Sequence, residues 1–395
     1  MQDNTPHKLA IVCTHPIQYY APVFRQLAAR SEIELKVFYG WEGPGKSVDP
    51  GFGVAVNWDV PLLEGYEHEF VPNSSQNPGS HHFYGIDLPT LNSRIEDWNA
   101  DALLIYGWSY KANLAAIKHF AGKLALLFRG DSNLLDEIWG FRRLLRRWYL
   151  RNVYKHIDVA LAVGTNNRHY YEALGLSSEK IVFAPHAIDN ARFESNAAEK
   201  GIKAAEYRDR LGIKEDQTVV LFVGKLEAKK APELLLAAFD GLPEDSRMQL
   251  VFAGTGELES QLKLMKNPNV HFLGFQNQTE MEVVYRVADL VALPSRGPGE
   301  TWGLALNEAM ACGRAVLASD RVGAAIDLIV EGRNGWIVRA NDALDLGRAL
   351  REAADRGRFG LQQMGTESSK IISTWSIQAQ VDAIVRAVCR VSCDG

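Results

Sequence analysis

Short, uninterrupted apolar runs alternate with longer stretches of helical spacing along the whole chain. The first half carries runs at Leu9–Cys13, Glu34–Tyr39, Ala102–Tyr106, Leu124–Phe128, Val159–Val163 and Ile181–Ala184. The second carries them at Val219–Val223, Gln249–Ala253, Val270–Leu273, Leu290–Leu293 and Ala315–Ala318. Runs without polar alternation predict strands covered on both faces. Between them, stretches such as Pro232–Leu242 (PELLLAAFDGL) and Thr279–Ala288 (TEMEVVYRVA) repeat apolar residues at helical spacing. Strands of this kind alternating with helices predict parallel α/β sheets.

So many strands exceed one ordinary sheet, and the pattern breaks once. Asn190–Gln217 is polar, charged and free of strand runs. The expectation is an α/β protein of two doubly wound, Rossmann-like domains facing each other across a cleft. Its expected parts are a first domain at 1–190, a linker at 191–217 and a second domain at 218–375, then a closing helix at 376–395 that packs back on the first domain. Ligands in such sheets bind beyond the carboxyl ends of the strands. The stretch from Trp41 to Pro89 is rich in Gly, Pro and Asn. Its aromatics Trp41, Phe52, Trp58, Tyr66, Phe83 and Tyr84 predict a partly ordered binding loop.

Composition narrows the class without changing the fold. The 395 residues are 47% hydrophobic and 23% charged, which is ordinary for a globular chain. A net charge of −5 argues against nucleic acid as a partner. Scattered cysteines without metal-ligand spacing point to a reducing cytoplasm. The apolar run near the N-terminus is too short for a signal-peptide core, and no run approaches a membrane span. One segment departs from the acidic average. Phe141–His156 holds Arg142, Arg143, Arg146, Arg147, Arg151 and Lys155 with no acid. Leu144, Leu145, Trp148 and Tyr149 alternate with the arginines as in an interfacial amphipathic helix. A helix packed on its sheet, with the arginines in water, fits the same letters.

Candidate chemistry lies in the second half. Gly303 precedes a predicted helix, LALNEAMAC, that Gly313 ends. A helix N-terminus offers unpaired N–H groups to a phosphate, and Gly303 lets it approach the backbone. Glu308, deeper in the helix, suits the paired hydroxyls of a ribose. Glu300, in the loop ahead, reaches a group beyond the phosphates. Surface carboxylates would satisfy this spacing equally well. Lys225 and Lys230 follow a strand and precede a helix, where two ammonium groups suit a diphosphate. Gly254 and Gly256 lack the third glycine of a dinucleotide fingerprint, and a tight turn accounts for them. His15 lies at the carboxyl end of the first strand, an address that suits contact with substrate, although a lone histidine is as readily structural.

FVGKLEAKKAPELLLAAF, VFAGTGELESQL, VHFLGF, ADLVALPS and ETWGLALNEAMACGRAVLASDRVGAAIDLIVEGRNGWIV follow one another as in the retaining GT-B glycosyltransferases. Over most of residues 217–340 the chain resembles the family 4 group in particular, with Glu300 and Glu308 as its two spaced glutamates. The resemblance implies the GT-B fold. It also implies hexosyl transfer, with retention, from a nucleotide-diphosphate-sugar to a glycan, lipid-linked or small-molecule acceptor, with work in cell-surface polysaccharide or glycoconjugate synthesis as part of the same expectation. By the same resemblance Glu308 holds the ribose and Glu300 the sugar. Gly303–Leu304 with Lys225 and Lys230 hold the diphosphate, next to Gly224, and the backbone at Gly274–Phe275 holds the base. The acceptor belongs to the first domain, around His15 and the aromatic loop.

There are departures from the family pattern. Lys225 stands where arginine is usual, trading a bidentate fork for a point charge. Ala231 stands where glycine is usual, and the first strand lacks a glycine-rich turn. Arg129 and Asp131 occupy a place where many relatives have a histidine; an internal salt bridge between them is the alternative to an active-site role. No Asp-x-Asp occurs, so no cofactor and no essential metal are expected. The expected setting is the cytoplasm, with peripheral contact through 141–156 at the inner face of a membrane. A nucleotide-sugar epimerase and a non-catalytic nucleotide-sugar-binding subunit are the rival readings. The nucleotide, sugar and acceptor are not legible at this level.

Overall fold

The computed structural model describes residues 5–43, 48–49, 54–55 and 58–393. They divide into two compact units. The first takes the described residues of Met1–Gly45, Pro61–His186 and Ile377–Gly395, and the second the remainder.

The first unit is a parallel sheet. Its strands are β1 (His7–Cys13), β2 (Ile33–Tyr39), β5 (Glu67–Phe70), β6 (Ala102–Tyr106), β7 (Ala125–Gly130), β8 (Val159–Ala162) and β9 (Ile181–Phe183). β3 (Val48–Asp49) and β4 (Val54–Ala55) form a separate small ladder that groups with the second unit. The strand order is β5-β2-β1-β6-β7-β8-β9, which reverses direction between β1 and β6. Helices α1 (Ala21–Ala28), α2 (Leu91–Asp97), α3 (Lys111–Phe120), α4 (Phe141–Tyr154) and α5 (Thr165–Ala173) connect the strands. Leu103, Ile105, Leu126 and Phe128 of the sheet pack with Ile117, Phe120 and Tyr154. β5 escaped the reading of apolar runs because its sequence, EHEF, is polar and lies at the sheet edge.

The second unit repeats the plan. Its helices are α6 (Asn190–Glu194), α7 (Ala197–Arg210), α8 (Pro232–Asp240), α9 (Glu259–Lys263), α10 (Gln278–Val287), α11 (Leu304–Ala311), α12 (Ala325–Leu328) and α13 (Ala343–Ile372). Its strands are β10 (Thr218–Val223), β11 (Met248–Ala253), β12 (Val270–Gly274), β13 (Leu290–Leu293), β14 (Ala315–Ser319) and β15 (Gly335–Val338). They lie in the order β12-β11-β10-β13-β14-β15, reversing between β10 and β13. Phe222, Phe252, Leu290 and Leu317 pack against Leu235, Leu350 and Leu361. Gly335 opens β15 so close to β14 that a Cβ there would fall 1.9 Å from the Val316 carbonyl oxygen.

The stretch 191–217, expected as a linker, belongs to the body of this unit. α7 packs on α10, and Arg208 is buried. Arg208 ion-pairs with Asp289 at 3.2 Å and donates to the Val287 carbonyl at 3.0 Å. A buried charge satisfied in this way reads as solvent-exposed in sequence. The closing helix, α14 (Ile377–Cys393), packs on α1 and on β1, β7, β8 and β9. Asp382 on α14 pairs with Arg30 at 2.5 Å.

Candidate functional site

The candidate residues of the second unit stand on loops that flank its strand-order reversal. Beyond their strand ends, β10, β11 and β12 stay hydrogen-bonded through loop backbone. Gly224 N–H donates to Ala253, Gly254 to Gly274 and Leu226 to Thr255, at 2.8–3.0 Å. A Cβ on Gly254 would lie 1.9 Å from the Gly224 oxygen, and one on Gly256 would lie 2.5 Å from the Leu226 oxygen. These glycines therefore serve the approach of one loop to another, a stricter demand than the tight turn read from sequence. Gly224 itself has φ 137°, with open space where a Cβ would be. Gly274 ends β12 with φ 70°, and Phe275 follows it, half-buried.

After Gly224 the chain passes Lys225, makes one 3-10 turn over Ala228–Lys230 and enters α8 at Pro232. Ala231, between the turn and the helix, has φ 54° and ψ 44°. That is the left-handed region, strained for an alanine and natural for a glycine. Lys230 then reaches across the strand-order reversal to Glu300 and ion-pairs with its carboxylate. Ser295 Oγ donates to the same carboxylate oxygen at 3.0 Å. Arg296 pairs with Glu233 at 2.5 Å, and its N–H donates to the Lys229 carbonyl at 2.9 Å. The loop after β13 is thus fastened to the loop after β10 at several points.

Gly303 is the N-cap of α11, with φ 98°, and Leu304 is the first helical residue. A Cβ at Gly303 would lie 2.7 Å from Val322 Cγ1, so the glycine also makes room for that side chain, with Glu300 Oε1 at ordinary contact distance, 3.7 Å. Glu308 is buried on α11, and the Tyr285 hydroxyl donates to its Oε2 at 2.6 Å. Tyr285 is fully buried on α10, with its ring against Phe193. Sequence reading missed Tyr285. Its only signal is a phenol at a core position of an apolar helix face, where the hydroxyl needs a partner.

The first unit carries a cavity of about 260 Å³ at the carboxyl ends of β1, β6, β7 and β8, beside its own strand-order reversal. His15 lines it, with Nδ1 hydrogen-bonded to Thr14 Oγ1 at 2.9 Å and its ring 5.3 Å from that of Trp41. Desolvation lowers the His15 pKa to about 4, so the imidazole is neutral at ordinary pH. His186, unremarked in the sequence, lines the same cavity. Burial first and the Arg129 charge second lower its pKa to about 3. Tyr106 adds a buried hydroxyl without a hydrogen-bond partner, held by a turn that Asn113 pins through the Tyr106 and Gly107 carbonyls at 2.9 Å.

Arg129 is buried and donates to the carbonyls of Ala184 at 2.8 Å and Pro185 at 3.1 Å. These bonds fasten the segment after β9, which carries His186, and Arg129 also lines the cavity. Of the aromatic loop, Tyr66 is buried and bonded to the Tyr39 hydroxyl at 2.8 Å, and Trp41 packs against the core. Phe83 and Tyr84 are exposed. Phe52 lies outside the described residues.

Two parallel-sheet, Rossmann-like domains of this design define the GT-B class of folds. The structure of Anabaena HepE, solved with UDP and glucose, superposes with a TM-score of 0.71, covering 97% of this chain and 100% of that one at 17% identity. Sucrose-phosphate synthase from Thermosynechococcus elongatus superposes with a TM-score of 0.72, covering 98% and 100% at 15% identity. Residues 203–364 form a domain that matches the family described as Glycosyl transferases group 1. A D-inositol 3-phosphate glycosyltransferase of Xylanimonas cellulosilytica is 27% identical over 231 residues, 55% of this chain and 54% of that protein. The matched stretch therefore spans about half the length of that curated relative.

Proposed function

We propose that this protein is a retaining glycosyltransferase of the family 4 type, moving a hexosyl group from a nucleotide-diphosphate-sugar to an acceptor hydroxyl in cell-surface glycan or glycoconjugate synthesis. The observation that carries the reading is the Lys230–Glu300 pair, set across the β10/β13 reversal beside the Gly303 cap of α11. In this reading Lys225 and Lys230 face the diphosphate together with the N–H groups at Gly303–Leu304. They stabilise the charge that grows on the leaving phosphate. Glu308 accepts from the ribose hydroxyls, its carboxylate oriented by Tyr285. Gly274–Phe275 and Gly224 border the base and phosphates, and Glu300 contacts the sugar. No essential metal enters, because protein cations supply the counter-charge. The acceptor occupies the cavity of the first unit, where His15 offers a neutral imidazole to a hydroxyl.

The test is a thermal-shift screen of UDP-, GDP-, ADP- and TDP-sugars, followed by NMR of the product anomer with the stabilising donor. Inversion at the anomeric carbon overturns the retaining assignment. Turnover of the donor with no acceptor present would mark the epimerase instead.

The proposed setting is the cytoplasmic face of a membrane, met through the α4 segment. What supports it is a cluster in sequence of exposed apolar side chains: Ile138 is 86% exposed, Trp139 85%, Phe141 72%, Trp148 68% and Leu144 63%. Arg142 and Arg146 stand exposed among them, and residues 138–156 contain no acid. Apolar and aromatic side chains in water beside unscreened arginines suit an anionic bilayer surface. None of the described helices is long and apolar enough to cross a membrane.

A further inference from the structure

The α4 face continues inward. Between α3 and α4 lies a slot of about 180 Å³, floored by Leu114, Ile117 and Val153, all buried. Its mouth is bordered by Trp148 and Tyr149, which also belong to the exposed face, and by Lys118 in the last turn of α3. The slot is therefore apolar within, cationic at its rim and continuous with the outer aromatic surface. Core side chains normally fill such a gap, since an unfilled apolar void forfeits contact on every wall. Here Trp148 borders the slot and is 68% exposed, so its ring does not fill the gap.

We infer that this slot takes the end of one acyl chain from an anionic membrane lipid, with Lys118 beside the headgroup. The inference rests on the reading of the α4 face as a membrane contact. The volume suits roughly six methylenes, if each fills about as much space as a water molecule, ~30 Å³. The rim charge selects the lipid. Lys118 at the mouth and Arg142 and Arg146 along the face are complementary to phosphate-bearing headgroups, and no carboxylate borders the slot among its described lining residues. Arg143 and Arg147 are not part of this charge. Both pair with Glu137, at 2.7 and 2.5 Å, and Arg143 covers the Trp139 ring at 4.0 Å. They build the face; Arg142 and Arg146 present it.

The experiment titrates the full chain calorimetrically with monomeric decyl phosphate, and separately sediments it with vesicles of anionic or neutral phospholipid. Decyl phosphate should saturate at one molecule per chain. Asn152→Trp, which fills the slot from its rim, and Leu114→Phe, which fills it from its floor, should each weaken binding about tenfold, the worth of roughly two buried methylenes. Lys118→Glu should weaken decyl phosphate but leave decyl maltoside unchanged. Both slot-filled variants should still sediment with anionic vesicles. Absence of saturation in the wild type, or equal binding by both slot-filled variants, overturns the slot. Saturable decyl phosphate binding in a protein that ignores vesicles keeps the slot and overturns the membrane contact instead.

Discussion

Lys230 and Glu300 are seventy residues apart in sequence and ion-paired in the fold, each on the loop after one of two adjacent strands. Glu300 also accepts from Ser295, and its other oxygen lies beside the Gly303 cap. The pair therefore joins fold and proposed chemistry: the lysine assigned to phosphate is the one that matches the charge of the carboxylate assigned to sugar.

Removing either partner should cost stability as well as turnover. Lys230→Ala removes the ion pair of a buried carboxylate and leaves it the Ser295 hydrogen bond, at a cost of ~1–3 kcal/mol. Lys230→Ala with Glu300→Gln should then be less destabilised than the sum of the single variants, by urea unfolding. Strict additivity would show that the two side chains are not coupled. Lys225→Ala should lower donor turnover by ~1.5–3 kcal/mol of activation free energy.

Tyr285 and Glu308 allow a second separation. Glu308→Gln should weaken nucleoside-diphosphate binding with little change in turnover at saturation. Tyr285→Phe keeps the carboxylate but removes the hydroxyl that orients it, and should give the same effect at ~1 kcal/mol. Calorimetric titration with UDP and GDP reads both. Unchanged affinity in Glu308→Gln would remove the ribose assignment.

Activity on the stabilising donor should persist in excess chelator, since Lys225, Lys230 and the α11 N-terminus carry the counter-charge. Steady-state rates with and without EDTA decide the point, and a strict Mg²⁺ or Mn²⁺ requirement would contradict it.

The buried histidines give a pH signature. Their folded pKa values, about 4 for His15 and about 3 for His186, lie below the 6.5 of a free imidazole. The unfolded chain thus binds more protons as pH falls below about 6.5, and the fold loses stability in that direction, by up to ~1.4 kcal/mol per pH unit for each histidine. Stability measured by urea between pH 7 and pH 5, above the ordinary carboxylate range, should decline with acid. His186→Asn should remove part of that slope. A slope unchanged by the substitution would mean that His186 is not held neutral by the fold.

For the membrane face, Arg142→Glu with Arg146→Glu should abolish sedimentation with anionic vesicles at low salt and leave donor affinity intact. Reversing Arg143 and Arg147 would instead set two glutamates against Glu137 and should lower the thermal midpoint. Equal loss of vesicle binding in both pairs, with no difference in stability, would dissolve that distinction.

The sequence by itself determined the repeated α/β plan, most strands, the start of α11 at Gly303–Leu304 and the carboxyl-end address of His15, Lys225, Lys230 and Glu300. Those features rest on local physics: the burial pattern of a strand, the cap of a helix and the loop that must follow it. It carried the wrong cue at 191–217, because Arg208 is a charge paid for by Asp289, a partner far along the chain, and it passed over β5, whose edge position permits polar residues. Only the tertiary structure decided which distant groups meet. Lys230 found Glu300 because β10 and β13 are neighbours at the reversal of strand order. Tyr285 found Glu308 because α10 packs on α11, and Arg129 met the carbonyls after β9, a contact that the residues around it do not signal. Strand order and helix packing are set by the whole core at once, and no local window of sequence contains them.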